Sequence, residues 1–211
     1  MRIVHFGHSC VLLETDGARI LIDPGTFSAG FESERELDAV LVTHQHLDHL
    51  DVDKLPALLE ANPNAQLIVD PGTADVVEKL GVQFRVAHPG DEFEFSGAAI
   101  NVVGGTHAII HPDIPTIPNI GYIVDHGTFY HPGDSFFVPE QKIDTLGLPT
   151  AAPWLKLSEA VDFLRAVSPR LATPIHEAML AKSAMYYGLF TRLAPEGTEV
   201  KVLPVGEFAK L

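Results

Sequence analysis

Apolar positions along this chain fall in short runs separated by turn formers, a pattern of strands rather than of long helices. Ala39-Val40-Leu41-Val42 is continuous and reads as a buried strand. Arg2 to Phe6 reads as a first strand, broken by Gly7-His8-Ser9. Cys10 to Thr15 and Ala18 to Ile22 follow as a pair joined by a hairpin turn at Asp16-Gly17. After the fourth strand, Leu55, Leu58 and Leu59 share one face of a helix predicted over Asp53 to Ala61. Pro56 falls in its first turns, where it is tolerated, and Asn62-Pro63-Asn64 stops it. A strand over Leu67 to Val69, a helix over Thr73 to Leu80 ending at Gly81, and a short strand at Phe84-Arg85-Val86 come next.

The second half repeats the alternation. Glu92 to Phe95 and Ala98 to Val103 form a hairpin through Ser96-Gly97, and Ile120 to Val124 and Thr128 to Tyr130 another across His126-Gly127. Asp144 to Thr150 reads as a strand. Ser158 is placed to cap a helix running to Val167, with Pro169 beyond its end. Leu171 to Pro174 is a strand, Lys182 to Leu193 an amphipathic helix and Glu199 to Leu203 a final strand. Paired strands followed by alternating strands and helices suit an α+β sheet core with helices outside.

Composition narrows the class. The 211 residues are expected to form one domain, with 46% hydrophobic residues to build its core. Lys and Arg number 14 against 28 Asp and Glu, a net charge of −14, which disfavours nucleic acid as a partner because phosphate binding needs clustered cations. Cys10 is the single cysteine, so there is no intrachain disulfide framework. No apolar run approaches the roughly 20 residues of a membrane helix. The segment from Met1 to Gly7 lacks the apolar core of a signal peptide, so a cytoplasmic protein is expected.

The candidate chemistry sits directly after the Ala39–Val42 run, in Thr43-His44-Gln45-His46-Leu47-Asp48-His49. Three histidines and a carboxylate lie within six positions. Neutral imidazole and carboxylate are the ligands that suit zinc, iron or manganese. Alternate side chains of a tight loop can splay toward two centres a few ångströms apart. Other polar groups stand where apolar runs end. Asp23 closes the third strand and needs a partner there, either as a cap or as an orienting group. His107 follows Gly104-Gly105-Thr106, Asp134 follows His131-Pro132-Gly133, and His176 follows the strand ending at Pro174. Taken alone, His107 and His176 would read as loop residues. His8, His111 in the proline-bearing segment 108–118, and Trp154, the only tryptophan, are candidates for substrate contact or ligand support. His8 reads equally well as a structural histidine, and Trp154 as a core residue. His131 is expected to pack nearby without ligating.

The HxHxDH stretch resembles the second motif of the metallo-β-lactamase superfamily, and the remaining groups match its other motifs in order. Gly7-His8-Ser9 is similar to the start of a branch that includes ascorbate-phosphate lactonase. The resemblance spans nearly the whole chain and implies a four-layer αβ/βα sandwich with metals at one sheet edge. It implies that His44, His46 and His107 bind one divalent cation and that Asp48, His49 and His176 bind a second. Asp134 would bridge the two, and Asp23 would orient the ligand loop from beneath. Zinc is the expected metal, with manganese and iron as alternatives. Members of this superfamily often self-associate.

The function so implied is a hydrolase acting on a small ester, lactone or phosphoester through a metal-bridging hydroxide. Metal binding lowers the pKa of water from 15.7 toward about 7, and Asp48 would take a proton from the attacking water. His8 and His111 are the candidates for a general acid. Rivals from other classes are a mononuclear iron oxygenase acting on a sulfur substrate, a single-domain nuclease and a non-catalytic metal-binding protein. His46 argues against the flavin-linked di-iron members, which carry a carboxylate in its place. The chain has no room for the inserted domain of RNA-processing members.

Overall fold

The computed structural model describes residues 1–15 and 17–211. The Asp16 half of the expected Asp16-Gly17 turn lies outside the described residues. The strands are β1 (Arg2–His5), β2 (Val11–Glu14), β3 (Arg19–Ile22), β4 (Ala39–Val42), β5 (Gln66–Val69), β6 (Arg85–Val86), β7 (Glu92–Phe95), β8 (Ala98–Gly104), β9 (Ile120–Val124), β10 (Phe129–His131), β11 (Thr145–Pro149), β12 (Leu171–Ile175), β13 (Glu199–Val200) and β14 (Phe208–Lys210). They form two seven-stranded sheets, ordered β14-β1-β2-β3-β4-β5-β6 and β13-β12-β11-β10-β9-β8-β7. The helices are α1 (Leu55–Ala61), α2 (Ala74–Glu78), α3 (Leu157–Val167) and α4 (Ser183–Leu193).

Side-chain alternation explains the layers. Val11 and Leu13, Ile20 and Ile22, and Leu41 turn inward and pack with Ile100, Val102, Tyr122, Val124 and Phe129 of the second sheet. Leu12, Leu21, Val40 and Val42 turn outward beneath Leu55 and Leu58 of α1 and Val77 of α2. On the far side, Ile123, Leu146 and Leu148 meet Val161 and Leu164 of α3 and Phe190 of α4. Strands covered on both faces must be apolar at every position, which is why β4 reads as an unbroken run. The arrangement is the four-layer αβ/βα sandwich, with its principal core between the sheets.

Strand direction positions the site. β3, β4 and β5 run parallel, so the residues after β3 and β4 emerge at one edge. In the second sheet β8 and β10 are each antiparallel to β9, and β10, β11 and β12 are parallel. The chain therefore leaves β8, β10, β11 and β12 at a common edge, toward His107, Asp134, Trp154 and His176 respectively.

Three elements differ from the sequence expectation. Ser158 is not the cap of α3: the helix starts at Leu157, and the Glu159 side chain accepts the Lys156 N–H at 3.1 Å. The strand expected over 199–203 is paired only at Glu199–Val200. The last strand is β14, which pairs antiparallel with β1 so that Arg2 lies opposite Lys210. Three partly exposed residues carry too little alternation to be read as a strand.

Candidate metal centre

The loop after β4 is anchored before it presents a ligand. Asp23, buried at the end of β3, accepts the Thr43 N–H at 2.8 Å and the Thr43 Oγ1–H at 2.7 Å. Its Oδ2 also lies 2.6 Å from His49 Nδ1. Asp23 therefore ties the start of the loop to its end, and it is not a helix or turn cap. Gly25 lets the chain after β3 run against this loop, since a Cβ there would stand 1.9 Å from the Asp48 carbonyl oxygen. Tyr122 reaches from the second sheet and donates its hydroxyl to the Val42 carbonyl at 2.9 Å, holding the end of β4.

Four histidines are then fixed in one tautomer. His107 Nδ1 is 2.6 Å from the Ala108 carbonyl oxygen, and His176 Nδ1 is 2.6 Å from that of Ala151. A carbonyl only accepts, so each Nδ1 carries the proton and each Nε2 is left with a lone pair. His49 Nδ1 donates to Asp23 in the same way. His44 Nδ1 donates to Thr43 Oγ1 at 3.0 Å, because that hydroxyl spends its own proton on Asp23. Orientation of the Nδ1–H by carbonyl or carboxylate is how metal-binding histidines are held.

The freed atoms converge. Asp134 Oδ1 is 3.0 Å from His49 Nε2 and 3.1 Å from His176 Nε2, while Oδ2 is 3.4 Å from His107 Nε2 and 4.0 Å from His44 Nε2. His46 turns Nδ1 to within 3.0 Å of His44 Nε2. Asp48 Oδ2 is 3.4 Å from His176 Nε2 and 3.9 Å from His49 Nε2. A tetrahedral centre with bonds of about 2.0–2.1 Å holds its ligand atoms about 3.3 Å apart. Two groups of donors lie within 4.8 Å of one another, close enough to draw in around an ion: His44, His46, His107 and Asp134, and His8, Asp48, His49 and His176. Nε2 of His49, His107 and His176 and Oδ1 of Asp134 are buried without a hydrogen-bond partner. Orphaned buried polar atoms demand an explanation, and a cation between them supplies one.

With no cation between them, the same groups act as a charge pair, and Nε2 of His49 and His176 takes up the proton that a metal ion would displace. Burial alone would hold His176 and His49 neutral, but the Asp134 carboxylate outweighs it. His176 is pushed up to about 9 and His49 well above the ordinary histidine value. Burial likewise works against ionising Asp134, yet the facing His49 and His176 hold it well below the carboxylate range. Burial, helped by neighbouring histidines, keeps His44 neutral.

His8 is more closely involved than its sequence position suggests. Its Nε2 is 3.0 Å from Asp48 Oδ2, its ring lies 3.8 Å from that of His176, and burial lowers its pKa to about 4. His8, Asp23 and His176 adopt positive φ values of 51°, 51° and 60°. Such strain in non-glycine residues collects at functional sites. Glu177, unremarked in the sequence, accepts the His8 N–H at 3.1 Å, and the His8 carbonyl accepts the His176 N–H at 2.8 Å.

Trp154 both fills the core and meets the site. It packs on Phe136 at 5.0 Å and donates its indole N–H to Asp134 Oδ2 at 2.8 Å. Asn119, which no motif signals, accepts the Asp134 N–H at 2.9 Å and donates to the Pro132 carbonyl at 3.0 Å. His131 has both nitrogens engaged, with the Ser9 carbonyl at 2.9 Å and the Gly133 N–H at 3.1 Å. His111 is the exception among the candidates. It is exposed, and its ring pairs locally with the Asp113 N–H rather than entering the cluster.

Comparison with known proteins follows this geometry. The Beta-lactamase superfamily domain matches residues 2–176. Protein Rv0786c of Mycobacterium tuberculosis is 50% identical over 210 residues, covering 97% of each chain. A UPF0173 metal-dependent hydrolase of Lysinibacillus sphaericus is 29% identical over 231 residues, covering 98% of each. The metallo-beta-lactamase fold protein YhfI of Bacillus subtilis superposes with a TM-score of 0.76 at 15% identity, covering 99% of this chain and 98% of that one, a likeness of fold. With the match running from β1 through His176, the chain belongs to the metallo-β-lactamase superfamily.

Proposed function

We infer that the protein is a metal-dependent hydrolase whose chain forms one domain of this superfamily, acting on a small ester, lactone or phosphoester. The observation that carries this is the convergence of four buried, unpartnered donor atoms, His49, His107 and His176 Nε2 and Asp134 Oδ1. In this reading His44, His46 and His107 hold one divalent cation, Asp48, His49 and His176 the other, and Asp134 stands between them. Zinc is the first expectation, with manganese or iron as substitutes. The bound ions would supply an acidified water and polarise the oxygen of the scissile bond.

The chain's own residues supply the rest. Asp134 is held at Oδ2 by Trp154, which leaves Oδ1 facing His49 and His176. His8 accepts the Ala178 N–H at Nδ1, 3.4 Å away, so its Nε2 carries the proton and donates to Asp48. That bond, with the rings of His176 and His49 facing the carboxylate, keeps Asp48 ionised against the opposing effect of burial. Asp48 is partly exposed while the histidines around it are buried, so its carboxylate is the group that can receive a proton from an attacking water.

The test is elemental analysis of the purified protein together with turnover on a panel of lactone, phosphodiester and thioester substrates. His46→Ala and Asp134→Ala should abolish hydrolysis and reduce bound metal. Unchanged turnover in either variant rejects the assignment, and stoichiometric iron with no hydrolysis favours the oxygenase reading.

A further inference from the structure

We propose that the substrate of this centre carries a short, uncharged alkyl or acyl arm, seated in the cavity between the His46–His107 edge of the site and the segment 108–118. The proposal rests on the hydrolase reading and names its substrate class.

The cavity has a volume of about 90 Å³. His46, His107 and Thr116 are the polar residues of its lining, and Ala108, Ile110, Ile114, Pro115 and Ile117 the apolar ones. No lysine, arginine, aspartate or glutamate lines it. Pockets that enclose whole ligands run to several hundred Å³, so this one admits an arm and not a ring system. A second cavity on the far side of Ala108, bounded by Ser135, Phe136 and Phe137, also lacks charged side chains. The ion pairs of the seven candidate ligands and His8 are all histidine–aspartate pairs, with no lysine or arginine among the described residues.

A phosphate remote from the reacting bond would need cationic donors of that kind, and the net charge of −14 repels it further. Apolar side chains instead stand exposed beside the site. Leu47 projects from the ligand loop at 60% exposure, and Ile109 and Ile114 from the overhanging segment at 66% and 49%. Phe27 lies 5.1 Å from the His8 ring. Exposed apolar groups gathered at a polar site mark a binding surface. Three prolines, Pro112, Pro115 and Pro118, stiffen the segment that carries Ile114.

The test measures binding rather than turnover. Alkyl hydroxamates from acetohydroxamate to hexanohydroxamate present one metal-binding head with arms of increasing length. Calorimetry on the metal-loaded protein should show affinity rising about fourfold for each buried methylene until the cavity is filled. A hydroxamate of the same length ending in a phosphonate should bind no more tightly than acetohydroxamate. Ile114→Asp should flatten the chain-length dependence, with melting temperature and metal content read alongside. A flat series in the unaltered protein, a preference for the phosphonate, or an unchanged slope in a folded Ile114→Asp variant overturns the proposal. Length-dependent binding with no hydrolysis of any ester rejects the hydrolase reading and keeps the subsite. Hydrolysis with a flat series rejects the subsite alone.

Discussion

Trp154→Phe isolates a single hydrogen bond at the centre of the site. The indole N–H lies 2.8 Å from Asp134 Oδ2, and both groups are buried. A hydrogen bond to a charged group contributes about 1.5–3 kcal/mol. Phenylalanine keeps an aromatic ring against Phe136 but removes the donor and some volume. The loss should lower the melting temperature of the metal-free protein by roughly 3–12 °C at this chain length. Lost volume adds to that figure, so stability alone does not test the argument. Metal affinity does. Without the donor, the carboxylate can rotate away from His49 and His176, and removal of a group orienting a ligand weakens metal binding by about 10–100-fold. The assay is competition for zinc against a chromophoric chelator. Zinc affinity within about twofold of the unaltered protein would refute the claim that Trp154 positions Asp134.

Other outcomes follow from the same geometry. Gly25→Ala places a Cβ 1.9 Å from the Asp48 carbonyl and 2.5 Å from the His49 nitrogen, so the ligand loop must move. It should destabilise the fold by about 3 kcal/mol or more and abolish metal binding; a stoichiometric metal content in urea-stable protein would contradict this. In chelator-treated protein, His176 is raised to about 9. Its stabilising contribution is thus complete below the unfolded value near 6.5 and is lost as pH rises through about 9. His8 is lowered to about 4, and His44 is lowered as well. Their contribution is present above about 6.5 and is lost as pH falls. Urea midpoints should therefore peak near pH 6.5 and fall on either side, and a midpoint rising steadily from pH 6.5 to 9.5 would count against the pairing.

How much of this was readable before the fold depends on the residue. His44, His46, Asp48 and His49 are legible because one loop carries all four after an unbroken apolar strand. The continuity of that strand follows from packing on both faces. His107, Asp134 and His176 are ordinary loop residues until the motif order joins them. His111 resembled them in sequence and went elsewhere, because a histidine in a proline-bearing loop carries no signal of which way it faces. Trp154 reads from the sequence as either a site residue or a core residue, and the structure uses it as both. Glu177 and Asn119 were invisible, since each acts on a backbone N–H and a backbone partner leaves no mark in composition or spacing.

The tautomers show why part of such a site is always hidden from the sequence. A histidine becomes a directed donor only when its other nitrogen is committed, and here two of those commitments are to carbonyls of Ala108 and Ala151. Any residue at those positions provides the same oxygen, so alanine is uninformative there. The ordering comes from strand direction: β8, β10, β11 and β12 end at one edge and deliver His107, Asp134, the Ala151–Trp154 segment and His176 together. Each histidine is thus fixed by a chain segment that the same sheet positions, either its own loop or the neighbouring strand's. Substitutions that shift β11 relative to β12 should therefore disturb His176 through the Ala151 carbonyl without touching any candidate ligand.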